Sequence, residues 1–268
     1  MKQRKWAFIA PDFRGPNKTP QACASELAIQ DVQDAVAYAR NHARVDPSRI
    51  YLLGGSGGGH MALMMAAKVP ALWAAVAAWV PITDLAQWHT ESLARTNEYA
   101  RYLEQTCGGA PGMSGPDKEY QSRSPLFHLE AAKGLPIDIG VGIHDGHKGG
   151  SVPISHSLRA FNTLAAANKC EDKLLKESEI VFMTEREQIP RELFGEKEND
   201  SERRRAILFR RVAGPVRITV FEGGHEGEYT ASYKWLARQQ KGKSVVWRPE
   251  NRSVGVLPGT DNVNQVAR

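Results

Sequence analysis

A chain of 268 residues, 41% of them hydrophobic and 24% charged, is long enough to form one large domain with a substantial core. Its net charge of +5 and its interleaved acidic and basic residues argue against a nucleic-acid partner, and its three scattered cysteines argue against a disulfide framework or a zinc site. No apolar run approaches the roughly 18 residues of a membrane span, and the apolar run 6–10 is too short for a signal peptide, so we expect a cytoplasmic protein without a membrane partner.

The first 80 residues are predicted to alternate between strands and helices. Apolar runs predict strands at 6–10, 50–53 and 74–80, and helical periodicity predicts helices at 25–42 and 60–67. This alternation is typical of an α/β protein with a mostly parallel sheet and helices on both faces.

After residue 80 the regular alternation stops. Residues 81–130 carry several aromatic side chains, and we expect either a lid or pocket wall, or surface helices whose aromatic rings pack on the core. The stretch 171–210 is highly charged and is predicted to be an insertion with a mobile tip. We therefore expect one domain over residues 1–240, followed by a tail over 241–268.

The later part of the predicted sheet consists of two strands, each followed by a helix. The strands are predicted at 137–143 and 216–221, and the helices at 152–168 and 229–240. Each strand ends in a loop that contains histidine and acidic residues, and the two loops therefore supply candidates for a site at the carboxyl edge of the sheet.

Ser56 lies at the apex of a glycine-rich turn between a predicted strand and a predicted helix. The run Gly54-Gly55-Ser56-Gly57-Gly58 matches the G-x-S-x-G nucleophile elbow. A tight reversal strains the serine backbone, and the glycines remove side chains that would collide. We predict Ser56 as a nucleophile and the Gly57 N–H as an oxyanion donor. The alternative is an ordinary strand-to-helix turn.

A nucleophilic serine needs a base, and the base needs an acid to orient it. Where the serine stands on an elbow of this kind, the acid and then the histidine come later in the chain, and each lies in a loop just after a strand of the sheet. His225 follows the strand at 216–221, and its flanking glycines leave room for the imidazole ring. Asp145 follows the strand at 137–143. We predict His225 as the base and Asp145 as the acid.

Other residues compete for these roles or lie near them. Asp138, inside a predicted strand, and Asp84, a possible helix N-cap, are alternative acids. His60 is expected to pack beside the site. His144 and His147 flank Asp145 as outer or surface residues, and a metal site at this cluster is the alternative, with no further residue to support it.

An ordered set of motifs between about residues 6 and 240 resembles the catalytic domain of the prolyl oligopeptidase-like serine hydrolases, within the α/β-hydrolase fold. The resemblance implies that Ser56, Asp145 and His225 form a catalytic triad. It also implies hydrolysis of a peptide or a small-molecule ester through an acyl-enzyme, without a cofactor. The matching segments are 11–15, 30–35, 46–50, 54–59, 124–126, 152–157 and 222–225.

This sequence also departs from the pattern of the family in some features. Family domains have strands before the one predicted at 6–10, and one of their loops carries the second oxyanion donor. We therefore expect an N-terminally shortened sheet and a second donor from the Phe13-Arg14-Gly15 loop or from a partner subunit. An uncovered edge near Trp6 would favour a homo-oligomer. Gly149 stands where the family has the acid, so Asp145 would act from a longer loop.

The expected function is therefore that of a serine-type peptidase. A carboxylesterase or a carbohydrate deacetylase would use the same machinery. The alternative from another class is a non-catalytic α/β-hydrolase-like scaffold, which the missing oxyanion segment would favour.

Overall fold

The computed structural model describes residues 5–147 and 150–248 and is built on a five-stranded sheet. The strand order is β1-β2-β3-β5-β4, and every neighbouring pair is parallel except β4 and β5. The mostly parallel sheet predicted from the sequence is confirmed. The strands are β1 (Tyr51–Gly55), β2 (Ala75–Trp79), β3 (Ile137–Gly142), β4 (Ile207–Ala213) and β5 (Val216–Phe221). Gly149 and the tail residues 249–268 lie outside the described residues.

Helices cover both faces of this sheet, as predicted. Val76 and Ala78 of β2 face a core built with α2 and α6, whereas Ala75 and Ala77 face the side chains of α8. No helix of the described ranges is long and apolar enough to cross a membrane. The helices are α1 (Glu26–His42), α2 (Gly57–Lys68), α3 (Leu85–Ala94), α4 (Tyr99–Cys107), α5 (Ser114–Ser122), α6 (Ser155–Ala167), α7 (Glu177–Arg186) and α8 (Tyr229–Leu236).

The prediction of a strand at 6–10 is wrong, because these residues do not pair with another strand. Their side chains are largely exposed, with Phe8 at 65% and Ile9 at 45%. A strand is stabilised only by hydrogen bonds to a neighbour, and hydrophobic sequence alone does not supply one. This segment and β1 line a groove of about 610 Å³, and the Trp6 ring lies 5.3 Å from the ring of Tyr51 in β1, so the contact is between side chains and not between paired strands.

The outer edge of β1 is consequently open over the described residues. Ser56 N–H donates to the Trp79 carbonyl at 2.9 Å, which places the backbone groups of the even-numbered residues of β1 towards β2. Since backbone groups alternate sides along a strand, those of Tyr51, Leu53 and Gly55 point to the open edge. The homo-oligomer expected at this edge stays a prediction.

The charged stretch 171–210 is not a single inserted excursion. It contains α7, and its last residues begin β4, which forms an antiparallel pair with β5. Ile207 and Phe209 are buried at 3% and 0% exposure, which the high surrounding charge concealed in the sequence. The turn at Gly214, whose φ is +58°, connects the two strands. The end of the stretch is therefore an integral part of the sheet.

Residues 81–130 form α3, α4 and α5, which pack on one another beside the carboxyl end of the sheet. Leu85, Trp88 and Tyr120 from these helices share an apolar cluster with Cys23 and Val152. The rings of Trp88 and Tyr120 are thus packed inward, whereas that of Tyr99 is 39% exposed. Its movement as a lid stays a prediction.

Candidate active site

The turn between β1 and α2 holds Ser56 in a strained conformation. Its φ of 56° and ψ of −122° lie in a region that residues other than glycine rarely adopt. A Cβ on Gly54 would lie 2.1 Å from the Gly58 carbonyl oxygen, so glycine is required at position 54. At Gly58, by contrast, a Cβ would meet nothing within 4 Å. The collision expected for side chains at the glycine positions therefore exists at Gly54 and not at Gly58.

Ser56, His225 and Asp145 form a continuous hydrogen-bonded series. His225 Nε2 lies 2.8 Å from Ser56 Oγ, and His225 Nδ1 lies 2.9 and 3.0 Å from the two Asp145 oxygens. With an ionised Asp145, Nδ1–H donates to the carboxylate, which leaves Nε2 as the acceptor for the serine hydroxyl. The structure thus brings together three residues that are 89 and 80 positions apart in the sequence.

Asp145 is buried in the loop that follows β3. Its exposure is 1%, and Oδ1 accepts hydrogen bonds from the N–H groups of Gly146 at 2.9 Å and Val152 at 3.2 Å. Backbone donors of this kind fix a carboxylate in one orientation and stabilise its charge. His225 therefore binds a carboxylate whose orientation is already fixed by these backbone N–H groups.

The two alternative acids have other partners. Asp138 lies within β3 and binds Arg217 through two hydrogen bonds of 2.9 and 2.7 Å, with Arg203 at 3.0 Å. Burial opposes its ionisation, but these two guanidinium groups outweigh burial and hold the pKa of Asp138 below its usual range. Asp84 caps α3, because its Oδ1 accepts from the N–H groups of Ala86 and Gln87, both at 3.0 Å.

His60 is buried beside the site and is held by a backbone carbonyl. Its Nε2 lies 2.7 Å from the carbonyl oxygen of Arg123, and its exposure is 2%. Burial lowers the pKa of His60 to about 4, so the ring is neutral near pH 7 and donates from Nε2. The ring lines the cavity next to Ser56, in agreement with a packing position near the site.

His144 and His147 bond to groups outside the Ser56 series. His144 lies 2.7 Å from Glu222 and 2.7 Å from Glu187, and these hydrogen bonds, Glu222 first, raise the pKa of His144. His147 Nε2 lies 2.6 Å from the Thr184 carbonyl oxygen. Over residues 5–147 and 150–248, no group of three or more His, Cys, Asp or Glu side chains is arranged to hold a metal ion.

A cavity of about 340 Å³ opens beside Ser56. Its wall is mainly apolar and aromatic, and it comes largely from α3, α4 and the loop before α3. Cys23 also contributes, but burial raises the pKa of its thiol to about 12, so it is no competing nucleophile. Trp88, Tyr99 and Tyr102 belong to this wall, and a pocket wall was one of the two alternatives expected for the aromatic residues of 81–130. The other wall residues, Ile82, Leu85 and Leu103, were not singled out, since only folding brings α3 and α4 over the serine.

The polar rim of the cavity is formed by Gly57 and the loop at 16–18. Gly57 is the first residue of α2, where N–H groups have no partner within the helix and are free for a ligand. The Phe13-Arg14-Gly15 loop, expected as a source of the second oxyanion donor, does not line the cavity. Gly15 N–H donates to the Asp12 carbonyl at 2.9 Å, and Arg14 pairs with Asp31 at 2.7 Å.

Comparisons with solved structures identify similar chains at low identity. A Pyrococcus horikoshii acylaminoacyl peptidase is 17% identical with a TM-score of 0.47, over 80% of this chain and 25% of that one. A Mycobacterium tuberculosis puromycin-hydrolyzing peptidase is 23% identical with a TM-score of 0.45, over 60% and 21%. A puromycin hydrolase is 19% identical with a TM-score of 0.44, over 53% and 20%. The chain thus spans a quarter or less of the length of these structures.

The family comparison gives a more specific result. No curated protein matches the chain. The model of the prolyl oligopeptidase family matches residues 9–183, which is well over half of the 268 residues. The matched range contains Ser56 and Asp145, and His225 lies beyond it. On this match, together with a mostly parallel sheet covered by helices on both faces, the chain belongs to the prolyl oligopeptidase family and has an α/β-hydrolase fold.

Proposed function

We propose that the chain is a serine hydrolase of the peptidase type, in which Ser56 is the nucleophile, His225 the base and Asp145 the acid. The observation that carries this proposal is the unbroken hydrogen-bond series from Ser56 Oγ through His225 to Asp145, with donor–acceptor distances of 2.8 and 2.9 Å. The position of Ser56 next to a cavity and the membership of the chain in a peptidase family support the same conclusion.

Acylation begins when Ser56 Oγ attacks the substrate carbonyl carbon and passes its proton to His225 Nε2. The carbonyl oxygen takes up negative charge, and the Gly57 N–H at the start of α2 donates to it. His225 then returns the proton to the leaving group. The products of this step are the released leaving group and an acyl ester on Ser56.

Deacylation repeats the same transfers with water as the nucleophile. His225 takes a proton from the water that attacks the acyl ester, and then returns a proton to Ser56 Oγ. Throughout both steps Asp145 holds the ring so that Nδ1 carries a proton, and it stabilises the charged imidazolium. Apart from the attacking water, the groups named in these steps are side chains and backbone groups of the chain.

The apolar wall of the cavity favours a substrate with an apolar group near the reacting carbonyl. Trp88, Tyr99 and Tyr102 offer ring surfaces to such a group, and burial of apolar surface is favourable by about 25 cal/mol per Å². The family favours a peptide over an ester as the substrate.

A fluorophosphonate probe, which reacts with activated serines, tests the proposed nucleophile. We expect mass spectrometry to find the label on Ser56, and the Ser56→Ala variant to remain unlabelled. The exposed Ser201→Ala variant is the matched control and should label like the wild type. An unlabelled wild-type protein would contradict a hydrolase and would favour a non-catalytic scaffold.

A substrate panel tests the peptidase assignment separately. Proline-containing peptides, p-nitrophenyl acetate and acetylated sugars represent the peptidase, carboxylesterase and deacetylase reactions. We expect turnover of the peptides. Turnover of esters alone would support the serine chemistry and exclude the peptidase assignment.

A further inference from the structure

Asn17 places an amide group at the mouth of the Ser56 cavity. A Cβ built on Gly57 would lie 2.8 Å from Asn17 Nδ2, and no other atom would come within 4 Å of it. Asn17, Ser56 and Gly57 all line the same cavity. A side-chain donor therefore lies next to the one backbone donor of the proposed oxyanion site.

The hydrogen bond made by the oxygen of this amide fixes which way the amide points. Asn17 Oδ1 accepts a hydrogen bond from the Cys23 N–H at 3.1 Å, so the NH2 group must be the end that faces Gly57. Over the described ranges, no protein atom accepts a hydrogen bond from Asn17 Nδ2. The half-buried amide thus presents two unused N–H donors beside Ser56.

The loop that carries the Cys23 N–H is held rigidly. Arg123, only 7% exposed, donates to the carbonyl oxygens of Pro20 and Ala22, both at 2.9 Å, and of Cys23 at 3.3 Å. Cys23 and Ala24 have φ values of 50° and 54°, a strained geometry that persists only where surrounding contacts enforce it. Asn17 is therefore positioned before any substrate binds.

On this basis, and building on the proposed function, we propose that the Asn17 side-chain amide is the second oxyanion donor. As Ser56 Oγ adds to the carbonyl carbon, the carbonyl π electrons move to the oxygen, and Asn17 Nδ2–H and Gly57 N–H both donate to it. When the intermediate collapses, the electron pair returns to the carbonyl and the hydrogen bonds weaken. Asn17 forms no covalent bond and transfers no proton.

This role makes Asn17 more important in the transition state than in substrate binding. Loss of one pre-positioned oxyanion donor lowers the rate by about 10²–10³, because the negative charge that develops on the carbonyl oxygen loses a hydrogen bond. An interaction present only in the transition state changes kcat and leaves KM nearly unchanged. Substitution of a residue that merely supported the loop would not lower kcat while leaving KM nearly unchanged.

Two substitutions at position 17 separate donation from structural support. Asn17→Ala removes both ends of the amide. Asn17→Asp keeps an oxygen that can accept from the Cys23 N–H, and it replaces the NH2 group with a second oxygen. The exposed Thr19→Ala, in the same loop but outside the cavity, is the matched control.

The measurement is the second-order rate constant for fluorophosphonate labelling of Ser56, which needs no known substrate, followed by kcat and KM on any ester that is turned over. We expect Asn17→Ala to label about 10²–10³ times more slowly than the wild type, and Asn17→Asp at least as slowly. Thr19→Ala should match the wild type. If Asn17→Ala does not fold, as judged by circular dichroism, Asn17→Asp decides the question.

Two results would overturn the role of Asn17 and leave the proposed hydrolase intact. One is that Asn17→Ala reacts with the probe at the wild-type rate, while labelling of the protein still requires Ser56. The other is slow labelling of Asn17→Ala with wild-type labelling of Asn17→Asp, which would mean that the amide only supports Cys23. Absence of labelling in the wild type would overturn both proposals together.

Discussion

Asp145 places both carboxylate oxygens within 3.0 Å of His225 Nδ1 while remaining only 1% exposed. This contact joins the loop after β3 to the loop after β5, two strands that pair directly in the sheet. The proposed acid and base therefore lie in loops that begin at neighbouring strands, and the pairing of these strands brings the two loops together.

Replacing this acid should abolish most activity without unfolding the protein. In Asp145→Asn, the amide donates to Nδ1 and forces the ring into the tautomer whose Nε2 carries a proton, so the ring cannot accept from Ser56. We expect kcat to fall about 10⁴-fold, measured on an ester substrate. The matched control is Asp84→Asn, because asparagine also caps helices and should retain activity. Loss of activity in Asp84→Asn with a fully active Asp145→Asn would contradict the proposed acid.

Asp138 should matter for stability instead. The ion pairs of Arg217 in the described part of the chain are all with Asp138, and both side chains are buried. Asp138→Asn leaves a buried guanidinium without its carboxylate, which should lower the free energy of unfolding by about 3–5 kcal/mol in urea titrations. The exposed pair Arg14–Asp31 is the comparison, and Asp31→Asn should lower the free energy of unfolding far less, because water screens this pair. Equal losses in both variants would contradict this account.

His60 should make the protein less stable as the pH falls. Its pKa is lowered from 6.5 to about 4 by burial, so the unfolded chain binds this proton at a higher pH than the folded chain. The free energy of unfolding should therefore decrease as the pH drops from about 6.5 to about 4, by about 3 kcal/mol, and this contribution should level off below pH 4. His60→Gln should remove this part of the pH dependence in urea titrations. Identical pH profiles for both proteins would exclude His60 as the source.

The open edge of β1 predicts self-association with a second copy. The backbone groups of Tyr51, Leu53 and Gly55 point to this edge, and the adjoining groove is mainly apolar. We expect the molar mass from light scattering to rise with protein concentration. Phe8→Glu places a charge at the groove and should favour the monomer, whereas Leu27→Glu, at a similarly exposed site outside the groove, should not. A constant monomer mass would contradict the prediction.

Local sequence patterns were sufficient for much of the fold. The elbow depends on five consecutive residues around Ser56, and the capped start of α1 depends on Ser25, whose Oγ accepts from the Ala28 N–H at 3.1 Å. The strand β2 has a continuous apolar sequence because both of its faces are buried, and β5 alternates apolar with polar residues, so these strands could be recognised locally. The order of Ser56, Asp145 and His225 along the chain followed from strand ends in the same way.

The errors arose where a partner distant in sequence decides the outcome. Residues 6–10 have the composition of a buried strand, but their backbone does not pair with β1 or with another described strand. Residues 207–210 belong to a charged stretch, yet they form a strand because β5 pairs with them. Composition describes what a segment can bury, and pairing depends on where the rest of the chain lies.

The elbow, most of the order of strands and helices, and the family could be recognised from the sequence, since each depends on short runs of residues. The carboxylate that meets His225, the helices that line the cavity and the amide that faces Gly57 became clear only from the folded chain. Asp145 and Asp138 are seven positions apart and chemically alike, and their neighbours in space separate them: one meets an imidazole and the other two guanidinium groups. Hydrogen bonds and charge pairs act over a few ångströms, so these roles are set by distance in space rather than along the chain.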